Sequence, residues 1–415
     1  MTFGSRMRAR FTFDRHELPP AFWFLWMGTI INRLGGFAVP FLMLYLTARL
    51  GMSAATAAGI VSALGAGSFL AQLTGGELAD RFGRRPVMLL SFFIAPLAML
   101  GVGLARDPLP LILTTLALGF FTDLYRPAVS AAVVDLVPVD KRTRAFGYIY
   151  WAINLGAALA PIAAGFLANI DFFLLFAGDA LTTAIFGLVV LMRVPESQAR
   201  EVAAAARTRT ATRVGVALRD SMLLAFVLLS LLVGIIYSQG QVTLPLDMAA
   251  DGLPPSDYGL AIAVNGGLIV LITIAVSRMA ERWHRYATMA VSALLLGTGF
   301  GLTGFADALP FYAFSVAVWT LGEVIGAAVA PVTVAEMSPP ALRGLYQGIW
   351  GSSWGLAFFI GPALGGLVYE RLGSGTLWTA TFALGIGLFV SYLALSIPAA
   401  RRARAAALRD ASAPG

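Results

Sequence analysis

Gly75-Gly76-Glu77-Leu78-Ala79-Asp80-Arg81-Phe82-Gly83-Arg84-Arg85-Pro86 reads as a short charged turn between two long apolar runs. The runs, 54–74 and 87–105, are each long enough to cross a bilayer as a helix, which takes about 20 residues. So short a connection makes the two helices antiparallel neighbours. Arg81, Arg84 and Arg85 place it on the cytoplasmic side by the positive-inside rule. Gly76 and Gly83 remove side chains where the chain turns tightly or helices approach closely. Asp80, an acid among three cations, is expected to be paired.

The stretch has an echo 201 residues on. Asp80-Arg81-Phe82-Gly83-Arg84 becomes Glu281-Arg282-Trp283-His284-Arg285. The same offset carries Asp135 to Glu336, Pro138 to Pro339, Arg142 to Arg343, Gly147 to Gly348, Pro161 to Pro362 and Gly165 to Gly366. Charged residues and prolines do not hold one offset across four helices by chance. The chain reads as two halves of one design, in the same order and with the same sidedness.

Composition sets the class. Of 415 residues, 58% are hydrophobic and 12% charged, against about 25% charged in a soluble domain. This predicts an all-α, polytopic membrane protein. With no cysteine, disulfides, thiolate metal sites and cysteine nucleophiles are excluded. His16 and His284 are the only histidines and both sit in polar flanks, so no metal site is expected. The net charge of +7 comes from arginines flanking the apolar runs and is not a nucleic-acid signature. The basic residues 1–20 lead into a run too long for a signal-peptide core, with no small-residue cleavage site. It is read as a retained first spanning helix.

Twelve apolar runs follow: 21–48, 54–76, 87–105, 110–137, 145–168, 172–193, 219–247, 257–279, 287–305, 310–337, 344–369 and 376–397. They divide into an N-terminal six-helix bundle (1–193), a cytoplasmic linker (194–218), a C-terminal six-helix bundle (219–397) and a basic tail (398–415) expected to fray. The linker is read as a tether, with a surface amphipathic helix as the alternative. An even number of crossings puts both termini on one side, and the arginine bias makes that side cytoplasmic.

Charge within hydrocarbon costs roughly 2.5–3.5 kcal/mol per residue on insertion scales, so each intramembrane charge asks for a reason. Asp123 and Arg126 share a face of the fourth helix. Asn32-Arg33 lie at similar depth in the first, Asp179 in the sixth and Glu323 in the tenth. One reading is a static ion-pair network about Arg33 and Arg126. The other is proton coupling, with Asp123 and Glu323 as first candidates. Asp179, beside Thr182 and Thr183, is a third, with local bonding as its alternative. Protons are then the coupling ion and no other cofactor is implied. Asp135 and Glu336 end the fourth and tenth helices within reach of loop arginines and read as cytoplasmic gate residues.

Gly156, Pro161 and Gly165 in helix five, and Gly361, Pro362, Gly365 and Gly366 in helix eleven, allow close packing and kinking. The hypothesis is that these two helices form the moving seam between halves. Trp151 and Trp354 are candidates for an aromatic cavity. Asn32, Asn154, Gln239 and Asn265 are polar candidates for the same cavity.

The Gly76 to Arg85 segment resembles the loop 2–3 signature of the major facilitator superfamily. Helix five resembles the antiporter signature of its 12-helix drug:proton antiporter branch, with Ala160-Pro161 and Ala164-Gly165 in place of Gly-Pro and Gly-Gly. Pro195-Glu196-Ser197 resembles the family's signature after helix six. The fourth-helix arginine typical of that branch would fall near Thr115, where it is absent. The resemblance implies twelve transmembrane helices in two pseudo-symmetric bundles. It also implies that Asp80 caps the start of helix eleven, and that Arg84 pairs with Asp135 to hold the outward-open state closed at the cytoplasm. By offset, Arg285 and Glu336 do the same; Gly83 and Arg85 belong to the same gate. The expected activity is proton-coupled efflux of hydrophobic or amphiphilic small molecules by a monomer in the bacterial inner membrane. The alternative is an importer of a sugar, organic acid or siderophore, which Arg33 and Arg126 would suit if the substrate is anionic. An enzyme is not expected.

Overall fold

The structure is a computed structural model that describes residues 18–196, 215–280, 282–339 and 342–411, excluding the side chains of residues 80, 140, 143, 274, 277 and 402–411. Most of the linker, residues 197–214, lies outside the described residues, as do residues 1–17 and 412–415.

Among the described residues, twelve helices are long and apolar enough to span a membrane. Hydrocarbon offers no partner for backbone amides, so each run closes its hydrogen bonds on itself. The first half contains α1 (Pro20–Arg49), α2 (Ala54–Phe82), α3 (Arg84–Leu104), α4 (Pro108–Leu136), α5 (Arg142–Ile170) and α6 (Phe173–Arg193). The second contains α7 (Ser221–Ala250), α8 (Pro255–Ala280), α9 (Arg285–Thr303), α10 (Leu309–Met337), α11 (Arg343–Leu372) and α12 (Ser374–Ala411). The helix starts at 20, 54, 84, 108, 142 and 173 recur at 221, 255, 285, 309, 343 and 374. Every start thus keeps the 201-residue offset.

Three expectations change. Gly75 to Phe82 are the last turns of α2, not a loop, and the turn to α3 is Gly83 alone. Gly83 manages this with φ +102°, a conformation few side chains tolerate. The first run is broken at Gly35-Gly36-Phe37, where two glycines weaken the helix. The tail expected to fray continues α12 as helix to Ala411.

Within each half the same pairs pack: α2 on α4, α3 on α4 and on α6, and α1 on α5; then α8 on α10, α9 on α10 and on α12, and α7 on α11. Two seams join the halves, α2 with α11 and α5 with α8. The pseudo-twofold exchanges one seam for the other. Gly259 lies against the Pro161 carbonyl and Gly266 against Ala158. Gly65 lies against the Phe358 carbonyl and Gly366 against Ala58. The Ala55 amide donates to Glu370 at 2.6 Å and the Ala363 amide to Ser62 at 3.0 Å, across the α2–α11 seam.

These contacts gather at one end. Toward the other end, rich in arginine, side chains added at Gly76, Gly147, Gly344, Gly348 or Gly351 would meet nothing within 4 Å among the described residues. The halves are sealed opposite the arginines and stand apart beside them.

Candidate functional site

A cavity of about 480 Å³ opens between the halves, within the range of small-molecule sites. Tyr150 and Asn154 of α5 line one wall; Ile269 and Thr273 of α8, with Glu323 and Ala327 of α10, line the other.

Glu323 is the middle residue of α10. Tyr237 of α7 donates its hydroxyl to Oε1 at 3.0 Å, and Asn265 of α8 donates its amide to Oε2 at 2.6 Å. The same amide nitrogen lies 3.1 Å from Thr320 Oγ1. Among the described residues no cation pairs with Glu323. Tyr237 is the hub of an aromatic cluster, edge-on to Trp319, Trp354 and Phe358 at ring separations of 5.6, 5.8 and 6.2 Å. Tyr237 was not singled out from the sequence; its mark is a hydroxyl in an apolar run, which needs a partner when buried.

In the first half, Arg126 Nε holds Asp123 Oδ1 at 2.8 Å, one turn apart on α4. Arg33 donates to the Tyr125 hydroxyl at 2.8 Å, and its Nε is buried without a partner. The static ion-pair network therefore exists only for Arg126; no carboxylate pairs with Arg33 among the described residues. Thr115, where the branch arginine would fall, is fully buried.

Asp179 is also engaged locally. It accepts from the Ala38 amide at 3.2 Å, capping the helix that resumes after the break in α1, and from Thr183 at 3.4 Å. Asn32 donates to Thr183 at 2.8 Å. This string ties α1 to α6 inside the first half rather than facing the cavity. Gln239 is likewise turned away: it is buried, donates to the Gly361 carbonyl at 3.1 Å and lies against Gly365. Its role is to pack α7 on α11. Asn154 lines the cavity, its amide donating to the Tyr150 carbonyl at 2.8 Å. Trp151 is 40% exposed and stacks on Trp26 at 6.1 Å; Trp354 packs edge-on against Tyr237.

The glycines and prolines divide by partner. Gly156 lies against the Arg33 backbone and Gly361 against Ser238, each within one half. Pro161, Gly165 and Gly366 lie at the seams, and Pro362 precedes the Ala363 amide that bonds Ser62 across one of them.

At the arginine-rich end, Arg84 Nε is 3.5 Å from Asp135, and Arg285 is 3.1 Å from Glu336. Both pairs join neighbouring helices of one half, and both are present while that end is open. Pairing alone therefore does not close it. A Cβ at Gly76 would meet nothing within 4 Å among the described residues in this arrangement of the halves. Arg85 donates to the Leu191 carbonyl, tying α3 to α6. The side chain of Asp80 lies outside the described residues, so its capping of α11 is not described. Glu196 accepts from the Arg84 amide at 2.9 Å and the Arg85 amide at 3.4 Å, capping α3.

The family model described as Major Facilitator Superfamily matches residues 25–246 and 241–414. The chain is 25% identical over 341 residues to a Na(+), Li(+), K(+)/H(+) antiporter of Planococcus maritimus, covering 74% of this chain and 79% of that protein. It is 25% identical over 373 residues to multidrug resistance protein MdtH of Aeromonas hydrophila, covering 88% and 91%. The solved structure of the nucleoside transporter NupG superposes with a TM-score of 0.78 at 16% identity, covering 91% of this chain and 99% of that one, which speaks to the fold alone. With a family model matched across both halves and the twelve helices arranged as two pseudo-symmetric bundles about a central cavity, the chain belongs to the major facilitator superfamily and is a multi-pass membrane transporter of small molecules rather than an enzyme.

Proposed function

We propose that this transporter exports hydrophobic or amphiphilic small molecules in exchange for protons. The observation that carries the reading is Glu323, a mid-membrane carboxyl on the cavity wall held by two neutral donors and by no cation among the described residues. Such a group can exchange a proton for a substrate without breaking an ion pair. Asp123, engaged by Arg126, and Asp179, capping Ala38, are second candidates. Tyr150, Ile269, Val324 and Ala327 on the cavity wall suit an apolar body. The relatives named an antiporter and a multidrug resistance protein support the reading.

In this mechanism substrate enters from the arginine-rich end, which the positive-inside rule assigns to the cytoplasm of a bacterial inner-membrane protein, with both termini on that side. The halves rock about the α2–α11 and α5–α8 seams. A proton arriving from the opposite side takes Glu323 and releases the substrate. One chain holds both halves of the cavity, and so a monomer suffices.

The test is proteoliposomes with an internal pH dye, an imposed pH gradient and a panel of lipophilic cations, neutral drugs and organic anions. Wild type should show substrate-dependent proton flux, Glu323→Gln should abolish the coupling, and Asp123→Asn should retain part of it. Full coupling in Glu323→Gln would remove Glu323 from the proton route. A second reading, uptake of an anionic metabolite, rests on the exposed Arg126 side chain. It gains if only anions move, in counterflow with labelled anions.

A further inference from the structure

The two halves are alike in backbone and unlike in the charges they carry near mid-membrane. The 201-residue offset sets Ala327 against Arg126 and Glu323 against Thr122. Ala327 lines the cavity between α10, α8 and α5. Arg126 therefore occupies the matching place on α4, on the side that the pseudo-twofold sets toward α2 and α11. Its side chain is 53% exposed although it sits deep along the helix, as a cavity-facing group would be. Its Nε engages Asp123, and its terminal nitrogens have no partner among the described residues. The first half thus offers a guanidinium edge, and the second half, about one helical turn away in depth across the pseudo-twofold, a carboxylate without a cation among the described residues.

A purely cationic ligand would meet Glu323 but bring a like charge toward Arg126. A purely anionic one would meet Arg126 but stand near Glu323. Uncompensated charge in a desolvated site is costly, whereas charge-assisted hydrogen bonds are the strong ones. A ligand of both signs answers both groups. We propose that the substrates are amphoteric amphiphiles, with an apolar or aromatic body, a carboxylate directed to Arg126 and a protonated amine directed to Glu323. This rests on the transport reading above and names its substrate class.

Three xanthene dyes with one ring system separate the possibilities: a rhodamine with free carboxylate and cationic amino-xanthene, its methyl ester, which is only cationic, and fluorescein, which is only anionic. Binding to the full-length protein in proteoliposomes is read by fluorescence anisotropy, and proton flux by the internal dye. The free-acid rhodamine should bind roughly tenfold more tightly than either relative, the order of one charge-assisted contact. Arg126→Gln should bring the free acid down to the level of its ester, Arg126→Lys should keep part of the difference, and Glu323→Gln should remove its advantage over fluorescein. If Arg126→Gln fails to fold because Asp123 is left unpaired, the double substitution Asp123→Asn with Arg126→Gln keeps the charge balance and gives the same readout. The proposal is overturned if the ester binds wild type as tightly as the free acid, or if removing Arg126 leaves their ratio as it was. If the binding pattern holds but no dye drives proton flux, the substrate class stands and the proton exchange fails. If the ester alone drives flux, the exchange stands and the amphoteric class falls.

Discussion

Gly83 shows how much one residue can carry. It is the whole connection between α2 and α3, and its φ of +102° with ψ of 157° lies where only glycine rests without strain. A Cβ there would stand 2.9 Å from the Glu196 carboxylate that caps α3. Gly83→Ala should therefore lower stability by about 1–3 kcal/mol, visible as a lower Tm in detergent. Glu196→Ala, which loses only the cap, should cost about 0.5–2 kcal/mol. Equal Tm values for Gly83→Ala and wild type would show that the turn can relax. The second half solves the turn differently, because the matching residue is His284. It keeps φ at −70° and accepts from the Ala287 amide at 3.3 Å, with α8 ending earlier, at Ala280. A side chain at that place excludes the tight turn, so the helix stops sooner.

The α2–α11 seam is a zipper of small residues in a steady antiparallel register. Ala58 meets Gly366, Gly65 meets Phe358, and Phe69 meets Gly355. Each advance along α2 is matched by a similar retreat along α11. The same stripe, carried two turns further, sets Gly76 opposite Gly348 and residue 80 opposite Gly344, all now at the open end. Those glycines make no contact here because the two helices stand apart at this end. Gly76→Val or Gly348→Val should then change Tm little, within about 0.5 kcal/mol as for other open positions. Transport should nevertheless fall at least roughly tenfold, since closure at that end would meet a side chain where backbone must approach. Gly366→Val should do the reverse: it strikes Ala58 at once and lowers Tm. Unimpaired transport by Gly76→Val and Gly348→Val would place the closing contact elsewhere.

Taken whole, the molecule is two bundles meeting along two equivalent seams, with the cavity between. The proposed alternating access requires that such an interface have two packings rather than a continuum. The ion pairs Arg84–Asp135 and Arg285–Glu336 sit within the bundles and are partly exposed. Each should contribute no more than about 1 kcal/mol. The absence of cysteine makes the seams directly testable. Cysteines replacing Ala55 and Glu370, whose contact spans the sealed end, should cross-link in the resting protein, stop transport, and release it on reduction. Cysteines replacing Gly76 and Gly348 should cross-link only when substrate or a pH gradient drives the other state. Rapid cross-linking of the second pair at rest would mean that the resting protein populates the closed arrangement of that end.

Helix number, the two halves and the sidedness of charge were legible because each is a property of the chain read along its length. Hydrocarbon forces every apolar run into a helix, and duplication leaves a constant offset. The last turns of α2 were not legible as helix, since a polar helix end and a polar loop carry the same residues. Nor could composition separate Gln239 from Asn265: both are amides in apolar runs. Folding sends one to the Gly361 carbonyl as packing and the other to Glu323 as part of the site. Tyr237 reaches Glu323 across 86 positions, a relation set by which faces of α7 and α10 meet. The end at which the halves stand apart depends on contacts between bundles, made by residues far apart in the chain. It therefore belongs to the packing and is written in no stretch of residues.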